Sequence, residues 1–183
     1  GAYGGQTTWI VNTTFVSNTV FGESGGGFNG PNVHILDSMF AYNSSGYESG
    51  AIGADNVYIT NTTFMNNQSQ NYGGAMYIYD DVHIVDSHFE GNRSERGGAI
   101  YAGISASDKA YIANTDFVNN KATSTDGGAI YSNGVFHLMD SQFINNQAVN
   151  NGGALYLRTE VYITRTQFMT NTAGITTNYS GGA

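Results

Sequence analysis

The residues best suited to chemistry come in sets of three. His34, Asp37 and Ser38 recur as His83, Asp86 and Ser87, and again as His137, Asp140 and Ser141. Imidazoles could ligate a metal, clustered carboxylates could cleave a polysaccharide, and a Ser hydroxyl could serve as nucleophile. His88 adds an imidazole two residues after Asp86. Glu90, Arg93, Glu95 and Arg96 form a mixed charge cluster whose Arg could clamp a sugar acid, or which could be a set of solvated surface ion pairs. Asp80-Asp81 offers carboxylates to Ca²⁺, an ion that needs six to eight oxygens.

What positions these residues is a repeat. Phe15, Phe40, Phe64, Phe89, Phe117, Phe143 and Phe168 are separated by 25, 24, 25, 28, 26 and 25 residues. Each is followed three residues later by Asn: Asn18, Asn43, Asn67, Asn92, Asn120, Asn146 and Asn171. Five residues before each Phe lies Ile10, Ile35, Ile59, Ile84, Ile112, Leu138 or Ile163. Gly-Gly-Ala closes the repeat at Gly73, Gly97, Gly127, Gly152 and Gly181, with variants Gly25-Gly26-Gly27 and Ser49-Gly50-Ala51. Segments such as Val82-His83-Ile84 alternate with period two, and no segment holds a 3.6-residue period for ten residues. A repeat near 25 residues with about three short strands describes one coil of a parallel β-helix. The chain is thus expected to be a single all-β domain, residues 1–183, a right-handed parallel β-solenoid of about seven coils.

Equivalent residues in such a fold stack at the strand spacing, about 4.8 Å per coil. Phe and Ile columns should fill the interior, and the Asn column should form an amide ladder at a bend. The Gly pair permits φ > 0 and close backbone approach.

The repeat also limits the chemistry. At the His position the coils read Trp9, His34, Tyr58, His83, Tyr111, His137 and Tyr162. At the Asp-Ser position they alternate with Asn-Thr, as in Asn12-Thr13, Asn61-Thr62 and Asn114-Thr115, and end on Arg165-Thr166. The duplicated unit is therefore two coils. Like residues then lie about 10 Å apart, too far for one metal and beyond the spacing of inverting carboxylate pairs, about 6.5–9.5 Å. The expectation is no catalytic, cofactor or metal site.

Composition points the same way. The 183 residues include 25 Gly, 21 Asn, one Pro and no Cys, and the net charge is −8. Six basic residues cannot build a phosphate-binding stripe, so nucleic acid is excluded, and no apolar run is long enough to insert in a membrane as a helix. Abundant Asn, Thr and Ser with little Lys fit a secreted or cell-surface protein.

Gly-Gly-Ala-[Ile/Leu] combined with Phe-x-x-Asn resembles the repeat of the chlamydial polymorphic membrane proteins, and of related adhesin-like surface proteins of bacteria and archaea. The resemblance covers nearly the whole chain. It implies a right-handed β-helix displayed outside the cell, used for adhesion or as surface structure.

Several positions remain open to function. The residues after each Phe (Val16, Ala41, Met65, Glu90, Val118, Ile144, Met169) and after each Ile (Val11, Leu36, Thr60, Val85, Ala113, Met139, Thr164) face outward as an apolar stripe, or turn inward at a bend. Two insertions, Ala102 to Asp108 and Gly174 to Ser180, are recognition loops or neutral length variation. Of six Asn-x-Ser/Thr sequons, Asn12, Asn61 and Asn178 are the glycosylation candidates, because Asn43, Asn67 and Asn92 belong to the ladder. Both ends fall in repeat phase. The assembly candidates are Gly1, Ala2, Tyr3, Trp9 and Ile10 at one end and Gly181, Gly182 and Ala183 at the other. An open strand edge is a template for another chain, so the chain either stacks head-to-tail or is a window of a longer solenoid. The leading expectation is a non-enzymatic extracellular structural protein that self-associates end to end into a filament or surface fibre. An adhesive role toward host or neighbouring-cell glycans or proteins would accompany it. The alternative is a carbohydrate-binding or carbohydrate-cleaving β-helix.

Overall fold

The computed structural model describes residues 6–22, 24–103 and 105–174. These residues form strands and turns with no helix, wound as a parallel β-solenoid. Three sheets run along its length. The second carries seven Phe strands in register, from Thr14–Val16 to Gln167–Met169. The third carries six two-residue strands that follow the Asn column. The first holds the Gly-Gly-Ala strand and the Ile strand of each coil. In Phe28–Leu36 and Ile52–Thr60 these two are continuous. In the next coil they split into Met76–Ile78 and Val82–Val85, because one additional residue separates Met76 from Val82 and breaks the pleat.

The interior is a set of columns. The seven Phe rings stack with centroids 4.6 to 5.1 Å apart. Beside them run Ile35, Ile59, Ile84, Ile112 and Leu138, then Ile52, Met76, Ile100 and Ile130, all buried. Each such side chain contributes on the order of 1.5–3 kcal/mol by leaving water.

The Asn ladder sits at the turn between the second and third sheets, and its interior rungs use every side-chain polar atom they have. Asn67 Nδ2 donates to Asn92 Oδ1 and to the Phe40 carbonyl, at 3.0 and 2.9 Å. Its Oδ1 accepts from the backbone N–H and Nδ2 of Asn43, both at 3.0 Å. An amide offers two donors and two acceptor sites, so the buried side chain is saturated and stitches three coils together.

The two glycines of each pair have different tasks. The first takes a left-handed conformation, φ +57° at Gly73 and +62° at Gly97. The second does not, but a Cβ on Gly74 would lie 2.2 Å from the Gly98 carbonyl oxygen, so only the missing side chain lets the coils meet.

Candidate functional site

The Asp column lies at the turn from the first sheet to the second. Asp37, Asp86 and Asp140 have φ of 50°, 52° and 51°, as do Asn12, Asn61 and Asn114 at 47°, 47° and 45°. Asp and Asn tolerate this left-handed region better than most residues. The carboxylates are tied to the next coil: Asn61 Nδ2 donates to Asp37 Oδ1 at 2.6 Å, and Asn114 Nδ2 donates to Asp86 Oδ1. The hydroxyls of the following residues are equally committed. Ser87 Oγ donates to the Val85 carbonyl at 2.9 Å and accepts the Thr62 N–H at 3.2 Å; Ser38 and Ser141 repeat the arrangement. All three Ser are buried.

The imidazoles stand elsewhere. His34 stacks between Trp9 and Tyr58 at 4.2 and 4.6 Å, and His137 on Tyr162 at 4.7 Å, in an outward aromatic ladder. His88 Nε2 lies 3.4 Å from Glu90 Oε2 and makes no bond to Asp86. A shallow hollow does gather Asp86, His88 and Asp116 with Asn61 and Asn114. Asp116 enters because it is the register partner of His88, a pairing that chain order hides. Among the described residues no group of three or more His, Cys, Asp or Glu could hold a metal. Asp80 lies against Asp108, Asp55 and Asp81, and burial with these neighbours raises its pKa above the ordinary value.

Among the described residues neither arginine of the mixed charge cluster forms an ion pair, because chain neighbours diverge at each turn. Glu90 points to His88 on the second sheet. Arg93 lies beside Lys121 on the third. Arg96 reaches the first sheet, with Cζ 5.1 Å from the Tyr131 ring centroid and 5.8 Å from that of Tyr72, while its Nε donates to Thr125 Oγ1 at 3.1 Å. There it meets a tyrosine ladder absent from the sequence reading: Tyr77, Tyr101, Tyr131 and Tyr156, with centroids 4.8 to 5.1 Å apart. The signal was present, since each follows the apolar residue after Gly-Gly-Ala. Buried Glu48 closes this face, accepting from Ser24 Oγ and the Tyr79 hydroxyl at 3.2 and 3.3 Å. Burial, with the Glu48 charge adding to it, pushes the Tyr77 and Tyr79 hydroxyls above the usual phenol range.

The two apolar columns do not turn inward. Val16, Val11, Leu36 and Met169 are exposed and Met65, Val85, Val118, Met139 and Ile144 half-buried; only the small Ala41 and Ala113 are covered. Of the end residues, Trp9 points outward against His34 and Ile10 is buried in register with Ile35. Gly1, Ala2, Tyr3, Gly181, Gly182 and Ala183, with Asn178, lie outside the described residues. So does most of the second insertion. The first is closed internally, with Ser105 N–H donating to Asp108 Oδ2 at 2.7 Å. Asn12 and Asn61 are exposed, while Asn43, Asn67 and Asn92 are fully buried.

Each coil therefore runs from the Asn or Asp bend through Phe and the ladder Asn to Gly-Gly-Ala and its strand. Residues 61–77, 86–103, 114–133 and 140–158 follow this course in a form shared with other proteins. All four match the Chlamydia polymorphic membrane protein repeat. Each match to the polymorphic membrane protein repeat begins at the left-handed bend residue and ends on or just after the strand that follows Gly-Gly-Ala. The coils holding Gly25-Gly26-Gly27 and Ser49-Gly50-Ala51 fall outside the matches. Neither a curated relative nor a solved structure matches the chain.

Proposed function

We propose that this solenoid is a non-enzymatic structural segment of a cell-surface or extracellular fibre, extended by end-to-end continuation of its coils and carrying an adhesive role. The carrying observation is the coil-to-coil register: the interior columns pair residue on residue, Ile10 on Ile35 and Leu138 on Ile163, Phe15 on Phe40 and Phe143 on Phe168, and the ladder Asn bonds each coil to the next. A coil of a second copy docked in the same register would continue these columns and their strand pairing. The absence of free nucleophiles in the Asp-Ser column supports a structural rather than hydrolytic role, since Ser38, Ser87 and Ser141 are held by backbone groups.

Electron microscopy and light scattering of the purified chain test the reading. Wild type should form rods whose length grows with concentration, and Ile163→Lys should shorten or abolish them while leaving the strand signal in circular dichroism. A wild-type chain that stays monomeric at high concentration would refute self-stacking.

A further inference from the structure

Among the register pairs of the described residues, one sets like charges side by side: Arg93 opposite Lys121. The outward column they occupy is otherwise neutral, reading Thr19, Ser44, Gln68, Arg93, Lys121 and Gln147. Directly opposed like charges destabilise a sheet. The Asp column avoids this conflict by placing Asn or Arg beside each carboxylate. The third sheet does not avoid it, and the ion pairs of the described residues, His88–Glu90 and Arg165–Asp140, involve neither cation. Two adjacent cations that no ion pair of the described residues neutralises, in a chain of net charge −8, form a local site for an anion.

The site is also concave. Arg93, Lys121, Thr123, Gln147, Ala148 and Val149 line a hollow of about 180 Å³. We propose that it takes the carboxylate of an acidic sugar. Arg93 supplies a planar fork that matches a carboxylate, and Lys121 a point charge beside it. Gln147 can donate to and accept from ring hydroxyls, and Thr123, whose hydroxyl donates to the Ser94 carbonyl at 3.0 Å, can accept from them. Val149, half-buried, presents an apolar surface to the C–H face of a pyranose. The surrounding negative charge repels polyanions, which favours a ligand with an isolated carboxylate over nucleic acid. This proposal rests on the adhesive reading above and names its ligand class.

The test is calorimetric titration of the full chain with a neutral trisaccharide bearing one terminal galacturonate, its methyl ester, acetate, and a Glu-Gly-Glu peptide. The free-acid trisaccharide should bind, weakening with added salt, and Arg93→Gln with Lys121→Gln should reduce its affinity at least tenfold. The double variant removes a repulsion, so its melting temperature should hold or rise, and its assembly into rods should match wild type. Loss of rods in wild type would fault the fibre reading alone. No binding of the free acid, equal binding of the ester, unchanged affinity in the double variant, or tighter binding of acetate or the peptide would each overturn the sugar site.

Discussion

The Arg165 guanidinium donates two parallel hydrogen bonds to the Asp140 carboxylate, Nε to Oδ1 at 2.6 Å and Nη2 to Oδ2 at 2.7 Å. Arg165 stands where the alternation of the bend column would place Asn, and it keeps the left-handed backbone, φ 46°. The Arg165 hydrogen bonds hold the Asp140 carboxyl below the usual Asp range. A depressed folded-state pKa contributes stability above the unfolded value that is lost as pH falls through the folded one. Arg165→Asn should therefore raise the Asp140 pKa toward its ordinary value, read by NMR titration of the carboxyl carbon. An unchanged titration would mean that the pair does not persist in solution.

Phe89 stacks between Phe64 and Phe117 at 4.7 and 4.8 Å with no exposure. Phe89→Ala should cost about 3–5 kcal/mol, measured by denaturant unfolding.

Asn92 offers a sharper test of the ladder. Asn92→Asp keeps the shape but replaces the amide that donates to the Phe64 carbonyl and to Asn120 Oδ1 with a buried acid. Burial and the loss of both donors raise the folded pKa of that acid, so the variant should be least stable at neutral pH. Stability should recover as pH falls through the raised folded value toward the unfolded one. Denaturant midpoints against pH, compared with wild type, would show it; a flat difference would contradict the saturated ladder.

Glycine substitutions should separate the two demands on the backbone. Gly74→Ala forces a Cβ to 2.2 Å from the Gly98 oxygen, whereas Gly174, at φ +75°, has nothing within 4 Å of its Cβ position. Gly174→Ala should cost only the left-handed strain, about 1–2 kcal/mol. Gly74→Ala must push two coils apart and should lower the melting temperature far more.

The tyrosine face predicts an alkaline transition. The raised folded-state pKa values of Tyr77, Tyr79 and Tyr101 come first from burial. Such groups contribute stability fully present below the unfolded value, about 10, and lost as pH rises through the folded ones. Ultraviolet titration should show a late-ionising tyrosine class that appears together with loss of structure, and that is diminished in Tyr77→Phe.

Much of this was legible because the determinants recur in every coil. Phe, Ile, the ladder Asn and Gly-Gly each answer a constraint the coil imposes at the same place, so alignment of the chain on itself exposes them. The tyrosine ladder escaped because it begins only at Tyr77; the same position holds Asn29 and Gly53 in the preceding coils. The cluster around Arg93 was misread because neighbours in sequence leave for different sheets, while its true neighbour, Lys121, is 28 residues away. Asp116 beside His88 is hidden in the same way. Coil-to-coil columns are set by register, whereas lateral contacts such as Arg96 over Tyr131 depend on side-chain reach around a corner, which no column of letters records.

The alternation at the Asp bend also acts as a parity check on the gene. Recombination that deleted the Asn61 coil would bring Asp37 against Asp86, two carboxylates separated by about one strand spacing. Deleting two coils leaves every acid beside an amide. Lengthening and shortening of this solenoid should thus proceed in even steps. Where an odd step survives, a cation beside the paired acids should mark the seam.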